Sequence, residues 1–162
     1  MKNKQLKNDS YFISQALKEA QKAYKKGEVP IGAIITLENK IISRGFNKCI
    51  MLSDPTAHAE IIALRKAAKK LKNYRLNDCF LYVTIEPCPM CAGALVNARI
   101  KKIIFGAYDV KAGACKSVFE ITNNKNLNHQ IEFDGNKKEY LNIECAGIIR
   151  NFFKNRRKVK RG

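Results

Sequence analysis

Between Ser10 and Lys26 the apolar residues Ile13, Ala16, Leu17, Ala20, Ala23 and Tyr24 fall on one stripe of a 3.6-residue period, which predicts an amphipathic helix. Ser10 can cap its start and Gly27 can end it. The pattern then shortens. Ile31 to Leu37 and Lys40 to Phe46 are isoleucine-rich runs around Glu38 and Asn39, the signature of a β-hairpin. A loop from Asn47 to Pro55 leads into a helix from about Ala57 to Leu71, a strand from Phe80 to Ile85, a short helix from Pro89 to Ala98 and a strand from Lys101 to Phe105. After a loop from Gly106 to about Ala114, the pattern gives a helical turn near Ser117, a weak strand near Ile131 and a final helix from roughly Lys138 to Arg157. Helices alternating with strands predict an α/β fold, a mixed and largely parallel sheet covered on both faces. No repeat, linker or low-complexity segment interrupts the 162 residues, so the expectation is one domain with flexible tails at 1–9 and 159–162.

Composition narrows the class. Apolar residues make up 46% and charged residues 28% of the chain, as in an ordinary globular protein. No apolar run approaches the roughly 20 residues a membrane-spanning helix needs. Met1 to Ser10 carry three lysines and nothing resembling the apolar core of an export signal, so the expected compartment is the cytoplasm. The formal charge of +17 points to a polyanionic partner. Thirteen of the 31 basic residues sit in two acid-free stretches: Arg65, Lys66, Lys69, Lys70, Lys72 and Arg75, then Arg150, Lys154, Arg156, Arg157, Lys158, Lys160 and Arg161. A single lysine run is ordinarily a solvated helix face. Two such blocks on one small chain favour nucleic acid, and no segment joins basic charge to the exposed apolar face that a membrane surface would require.

Six cysteines in a chain without an export signal are thiols, metal ligands or catalytic groups before they are disulfides. His58-Ala59-Glu60 follows the loop Asp54-Pro55-Thr56, and Glu86-Pro87-Cys88-Pro89-Met90-Cys91 follows a strand. A lone histidine is usually structural, and a lone C-x-x-C can be a redox pair; together they make a three-ligand set. Cys88 and Cys91 straddle a helix start, where a spacing of three turns both sulfurs to one point and the helix dipole favours thiolates. One imidazole and two thiolates leave a fourth tetrahedral position open, the pattern of a catalytic zinc. Cys49, Cys79, Cys115 and Cys145 lack a partner at metal spacing and read as packing residues. Two thiolates cancel the charge of the ion, so its water needs a nearby base, and Glu60 is placed for that. Residues two apart on a regular helix point about 200° away from each other, so His58 and Glu60 must straddle an irregular first turn. Without a metal site beside it, Glu60 would be a first-turn acid complementing the helix dipole.

This combination resembles the zinc nucleobase deaminases of the cytidine and deoxycytidylate deaminase superfamily. The similarity extends to the bacterial tRNA-specific adenosine deaminases through Val29-Pro30-Ile31-Gly32-Ala33, Phe46-Asn47, Asp54 to Glu60, Asn73-Tyr74-Arg75-Leu76, Glu86 to Gly93, Phe105-Gly106-Ala107 and the late Phe152-Phe153-x-x-Arg156-Arg157. It covers nearly the whole chain after Ser10. The resemblance implies a three-layer α/β/α cytidine-deaminase-like fold with a central mixed five-stranded sheet. It also implies a homodimer and one zinc per subunit held by His58, Cys88 and Cys91. The reaction it implies is hydrolysis of the wobble adenosine to inosine in the anticodon ACG of an arginine tRNA, with Glu60 moving protons. By the same resemblance Asn47 contacts the target nucleotide, Asp109 lies beside the ribose, and Val29, Pro30 and Ala59 belong to the base pocket. Tyr108, Lys111, Phe152, Arg156 and Arg157 are candidate RNA contacts, one of Phe152 and Phe153 is expected in the core, and the end after Lys158 is expected to be disordered without RNA. Tyr108 and the apolar stretch Cys49-Ile50-Met51-Leu52 depart from the family pattern.

Two other readings compete. A zinc deaminase of free guanine, cytosine or cytidine would share the signature but has no use for so basic a terminal helix. An RNA-binding module with a structural zinc would have no use for Glu60.

Overall fold

A computed structural model describes the backbone of residues 2–135 and 139–162 and the side chains of residues 9–135, 139 and 141–162. Its elements run α1 (Lys2–Lys25), β1 (Gly32–Leu37), β2 (Lys40–Phe46), α2 (Cys49–Leu52), α3 (Ala59–Leu71), β3 (Phe80–Ile85), α4 (Pro89–Asn97), β4 (Lys102–Ala107), β5 (Glu132–Gly135) and α5 (Glu139–Arg161). The hairpin turns at Glu38 and Asn39, both with positive φ (50° and 59°), the twist a two-residue turn needs to match its strands.

The five strands form one sheet in the order β2-β1-β3-β4-β5. It is evenly mixed where the sequence pointed to a largely parallel one: β1 is antiparallel to both β2 and β3, and the β3–β4 and β4–β5 pairs are parallel. The reason lies in the crossovers. Helix α3 carries the chain over β1, so β3 lies parallel to β2 with β1 running the other way between them, whereas α4 joins true neighbours.

Alternation along the strands sorts the core into two layers. Ala33, Ile35, Leu81, Val83, Ile103 and Phe105 face α3 and α4. Ile34, Tyr82 and Ile104 face Phe12, Ile13 and Leu17 of α1 and Leu141 and Cys145 of α5. Strand β3 is covered on both sides, which is why its sequence reads as a continuous apolar run. The two basic stretches therefore lie on opposite faces of the sheet, one on α3 and one on α5.

Besides shifts of one or two residues at α3, α4 and β4, three boundaries differ from the sequence reading. The Asn47 to Pro55 loop contains the short helix α2, whose residues are all at least partly exposed. Helix α1 begins at Lys2 and α5 runs on to Arg161, so the stretch after Lys158, expected to be disordered, is helical. The expected helix start at Lys138 lies outside the described residues.

Candidate active site

The metal-ligand candidates are placed by two helix starts. His58 is the N-cap of α3 and extended (φ −70°, ψ 155°), and Glu60 is the second helical residue. That extended N-cap resolves the 200° conflict: the imidazole is outside the helix, and the glutamate alone obeys the helical period. Cys88 is likewise the extended N-cap of α4 (φ −73°, ψ 171°), with Pro89 in the first helical position, where no N–H is needed, and Cys91 in the first turn. Gly45 of β2 lets α3 approach the sheet here, because a Cβ at that position would strike the Ala59 carbonyl. Any side chain at 45 would push the start of α3 outward.

The three ligand atoms converge. His58 Nδ1 lies 3.5 Å from Cys88 Sγ and 3.4 Å from Cys91 Sγ. A tetrahedral zinc with typical Zn–S and Zn–N bonds would hold such atoms about 3.6 Å apart, so the donor set and spacing fit that ion. Among the described residues this is the one such trio. The hydrogen bond from Cys91 and the nearby His58 hold the Cys88 thiol far below its ordinary value, and Cys91, which keeps the shared proton, is pushed up. The Cys88 sulfur in turn raises the His58 imidazole.

Glu60 is 3% exposed, and its Oε2 has no hydrogen-bond partner. Burial pushes its carboxyl up to about 7. A buried carboxyl oxygen without a partner is costly. Beside a metal-ligand trio it is the group expected to handle protons.

The other predicted residues fall into two groups. Backbone hydrogen bonds from Ile31 to Val29, from Asn47 to Ile31 and from Lys48 to Ala57 bring Val29, Pro30 and Asn47 beside the Ala57–Glu60 segment. Asn47 is 5% exposed, and its Oδ1 accepts a hydrogen bond from the Cys49 thiol at 3.4 Å. Of the four other cysteines, Cys79, Cys115 and Cys145 are buried as expected, but Cys49 is only half-buried on the rim of this loop.

The second group lines an open groove of about 1150 Å³ between the loop after β4 and α5, where Tyr108, Asp109 and Lys111 face Arg150, Phe153, Lys154 and Arg157. Asp109 Oδ1 accepts the Lys111 and Ala112 amides, fixing a tight turn. Tyr108 is 47% exposed and braced edge-on against Phe105. Phe152 does not belong to the groove. It is buried against Tyr24 with Arg156 stacked on its ring, and Phe153 is the aromatic that faces out.

Two residues with roles in this architecture were not singled out from sequence. Phe153 was passed over because position on a helix face cannot be read for adjacent phenylalanines. Glu86, inside the recognised motif, is an acid 1% exposed at the end of β3. An acid interrupting a strand end beside two cysteines was its only signal.

Comparison with known proteins agrees with this geometry. Residues 7–157 match the MafB19-like deaminase family. A tRNA-specific adenosine deaminase from Aquifex aeolicus is 48% identical over 145 residues, covering 89% of this chain and 93% of the relative. The chain belongs to the tRNA-specific adenosine deaminase family. A structure from work on A-to-I editing by tRNA:A34 deaminases at the wobble position superposes with a TM-score of 0.81 and 39% identity, covering 86% of this chain and 99% of that one. A guanine deaminase structure from Bacillus subtilis, 33% identical, covers 88% of this chain and 93% of its own with a TM-score of 0.60. The mixed five-stranded sheet with helices on both sides is the cytidine-deaminase-like fold. No described helix is long and apolar enough to cross a membrane.

Proposed function

We propose that this protein is a zinc-dependent hydrolase that converts the wobble adenosine of a tRNA anticodon, ACG of an arginine tRNA, to inosine in the cytoplasm. The observation that carries the mechanism is the buried, unpartnered Glu60 oxygen beside the His58–Cys88–Cys91 trio. His58, Cys88 and Cys91 would hold one zinc, and a bound zinc supplies Lewis acidity that makes a water acidic enough to attack carbon at neutral pH. Glu60 takes the proton from the attacking water. It then delivers a proton to N1 of the adenine as oxygen adds at C6. Glu60 then takes the proton of the hydroxyl added at C6 and passes it to the exocyclic amine, so that the C6–N6 bond breaks, ammonia leaves and the 6-oxo base remains. Burial raises the Glu60 carboxyl, which favours its holding and returning that proton.

Asn47, whose amide donates to the Ile31 carbonyl just before β1, would fix the target nucleotide, with Val29, Pro30 and Ala59 walling the base. A base in an anticodon loop leaves its stack at low cost. Arg150, Lys154 and Arg157 across the groove from Tyr108 and Asp109 supply phosphate contacts for the flanking strand. The protein is proposed to work as a homodimer through its α3–α4 face, where Tyr74 (68% exposed) and Met90 (36%) border an apolar hollow with Ile61, Leu64 and Ala94.

Inosine formation in an arginine anticodon stem-loop, measured with wild type and Glu60→Ala in parallel, tests the reading. Expected is turnover in wild type and loss of at least about a thousandfold in the variant with zinc retained. Wild-type turnover of free guanine or cytidine and none of the stem-loop would replace RNA by a free base. Full activity in Glu60→Ala would overturn the mechanism.

A further inference from the structure

The Glu86 carboxylate is the centre of a knot. Its Oε1 accepts the amides of Lys116 (2.7 Å) and Ser117 (2.9 Å), and its Oε2 accepts the amide of Asp109 (3.0 Å) and the hydroxyl of Ser117. No cation pairs with it among the described ion pairs. Four neutral donors, three from backbone, do the work of a counter-ion. The backbone joins in: the Glu86 amide donates to the Ala107 carbonyl, and the Ala114 amide to the Pro87 carbonyl, both at 2.8 Å. Gly113 completes the arrangement, because a Cβ there would collide with the Glu86 carboxylate and the Asp109 carbonyl.

The two ends of this knot differ in kind. On one side, Glu86 is two residues before Cys88, on the rigid end of a strand hydrogen-bonded to β1 and β4. On the other lies the loop that presents Tyr108, Asp109 and Lys111 to the groove. Loops ordinarily hold their own shape loosely. This one is wrapped on a single buried anion that belongs to the metal-ligand segment, so its distance from that segment is fixed. A carboxylate is the only side chain of this size that accepts from all four donors. Glutamine would turn an N–H₂ toward at least one N–H.

We propose that Glu86 is a positioning residue for the RNA. Its carboxylate, with Gly113, locks the Tyr108–Asp109 edge of the groove at a set distance from the metal-ligand trio, so that a flanking nucleotide held at that edge puts the target base over Glu60. The inference rests on the deaminase reading above.

Glu86→Gln, Ser117→Ala and Asp109→Ala are to be compared with wild type for zinc content, for kcat and KM on the anticodon stem-loop, and for amide hydrogen exchange. For Glu86→Gln the expected result is zinc retained, KM raised about tenfold or more with a smaller change in kcat, and faster exchange at the Asp109, Lys116 and Ser117 amides but not in β1. Ser117→Ala, which removes one of the four contacts, the hydroxyl, and keeps the Ser117 amide, should shift KM in the same direction by less. Adding Asp109→Ala to Glu86→Gln should cost less than it does in wild type, because the edge it acts from is already displaced. Unchanged exchange at the three amides, or a lower Tm with KM unchanged, would overturn the proposal, as would loss of zinc. If wild type itself fails to edit the stem-loop, the deaminase reading fails, and hydrogen exchange still decides whether Glu86 holds the loop.

Discussion

Cys88 and His58 are ligand candidates because each sits in the extended backbone just before a helix, where a side chain can turn away from the helical period. Replacing Cys88 by serine keeps the shape but not a readily formed anion, so Cys88→Ser is expected to lose zinc, measured as metal per chain. It should also lose stability in proportion to metal binding, about 4 kcal/mol when free metal stands a thousandfold above its Kd. At Glu86, burial pushes the carboxyl up, but the Ser117 hydroxyl and amide and the amides of Asp109 and Lys116 outweigh it and hold the pKa below its ordinary 4.5. A depressed carboxylate stabilises the fold above its unfolded value and loses that contribution as pH falls through the folded one. The stability gap between wild type and Glu86→Gln should therefore be full near neutrality and close as the pH drops below about 4.5, read from denaturant curves across pH. Tyr82, fully buried in β3, donates to the Asp9 carboxylate at 2.8 Å and ties α1 to the sheet. Tyr82→Phe is expected to cost about 1–2 kcal/mol by leaving that half-buried acid without its donor, measured by chemical denaturation.

Among the elements, the two basic helices part company. On α5, Arg150, Lys154 and Arg157 border the groove beside the site. On α3, Lys69, Lys70 and Lys72 are exposed at the C-terminal end of the helix, opposite the end that carries His58 and Glu60. Composition counts the two blocks alike, but a stem-loop seated in the proposed Tyr108–Asp109 groove would meet only the one on α5. Neutralising the α5 trio is expected to weaken stem-loop binding and to lower the slope of log K against log salt by about 2–3, whereas neutralising the α3 trio should leave both nearly unchanged. Titrations at several salt concentrations separate the two outcomes, and equal effects from both helices would place the RNA elsewhere.

For the whole molecule, the apolar hollow on the α3–α4 face is the surface to test for self-association. Tyr74→Glu with Ala68→Glu is expected to shift the proposed dimer to monomer in sedimentation equilibrium without releasing metal, since neither residue belongs to the trio. A wild-type monomer under the same conditions would remove the homodimer from the proposal. The +17 charge makes such association salt-dependent, so the measurement belongs at physiological ionic strength.

What the residues alone determined is whatever depends on short range. The helix stripe in α1, the Glu38-Asn39 turn, the strand runs and the C-x-x-C at a helix start are local statements, and the pattern of His58, Glu60, Cys88 and Cys91 follows from ligand chemistry that does not need coordinates. Tertiary structure decided the rest. The even mixture of strand directions depends on α3 crossing over β1, and whether Phe152 or Phe153 faces the groove depends on how α5 rotates against α1. The separation of the two basic blocks and the wrapping of the 108–117 loop around Glu86 both arise from contacts between residues far apart in the chain. A sequence names the groups available for such contacts, but only the packing of the sheet between its two helical layers brings particular ones within hydrogen-bonding reach.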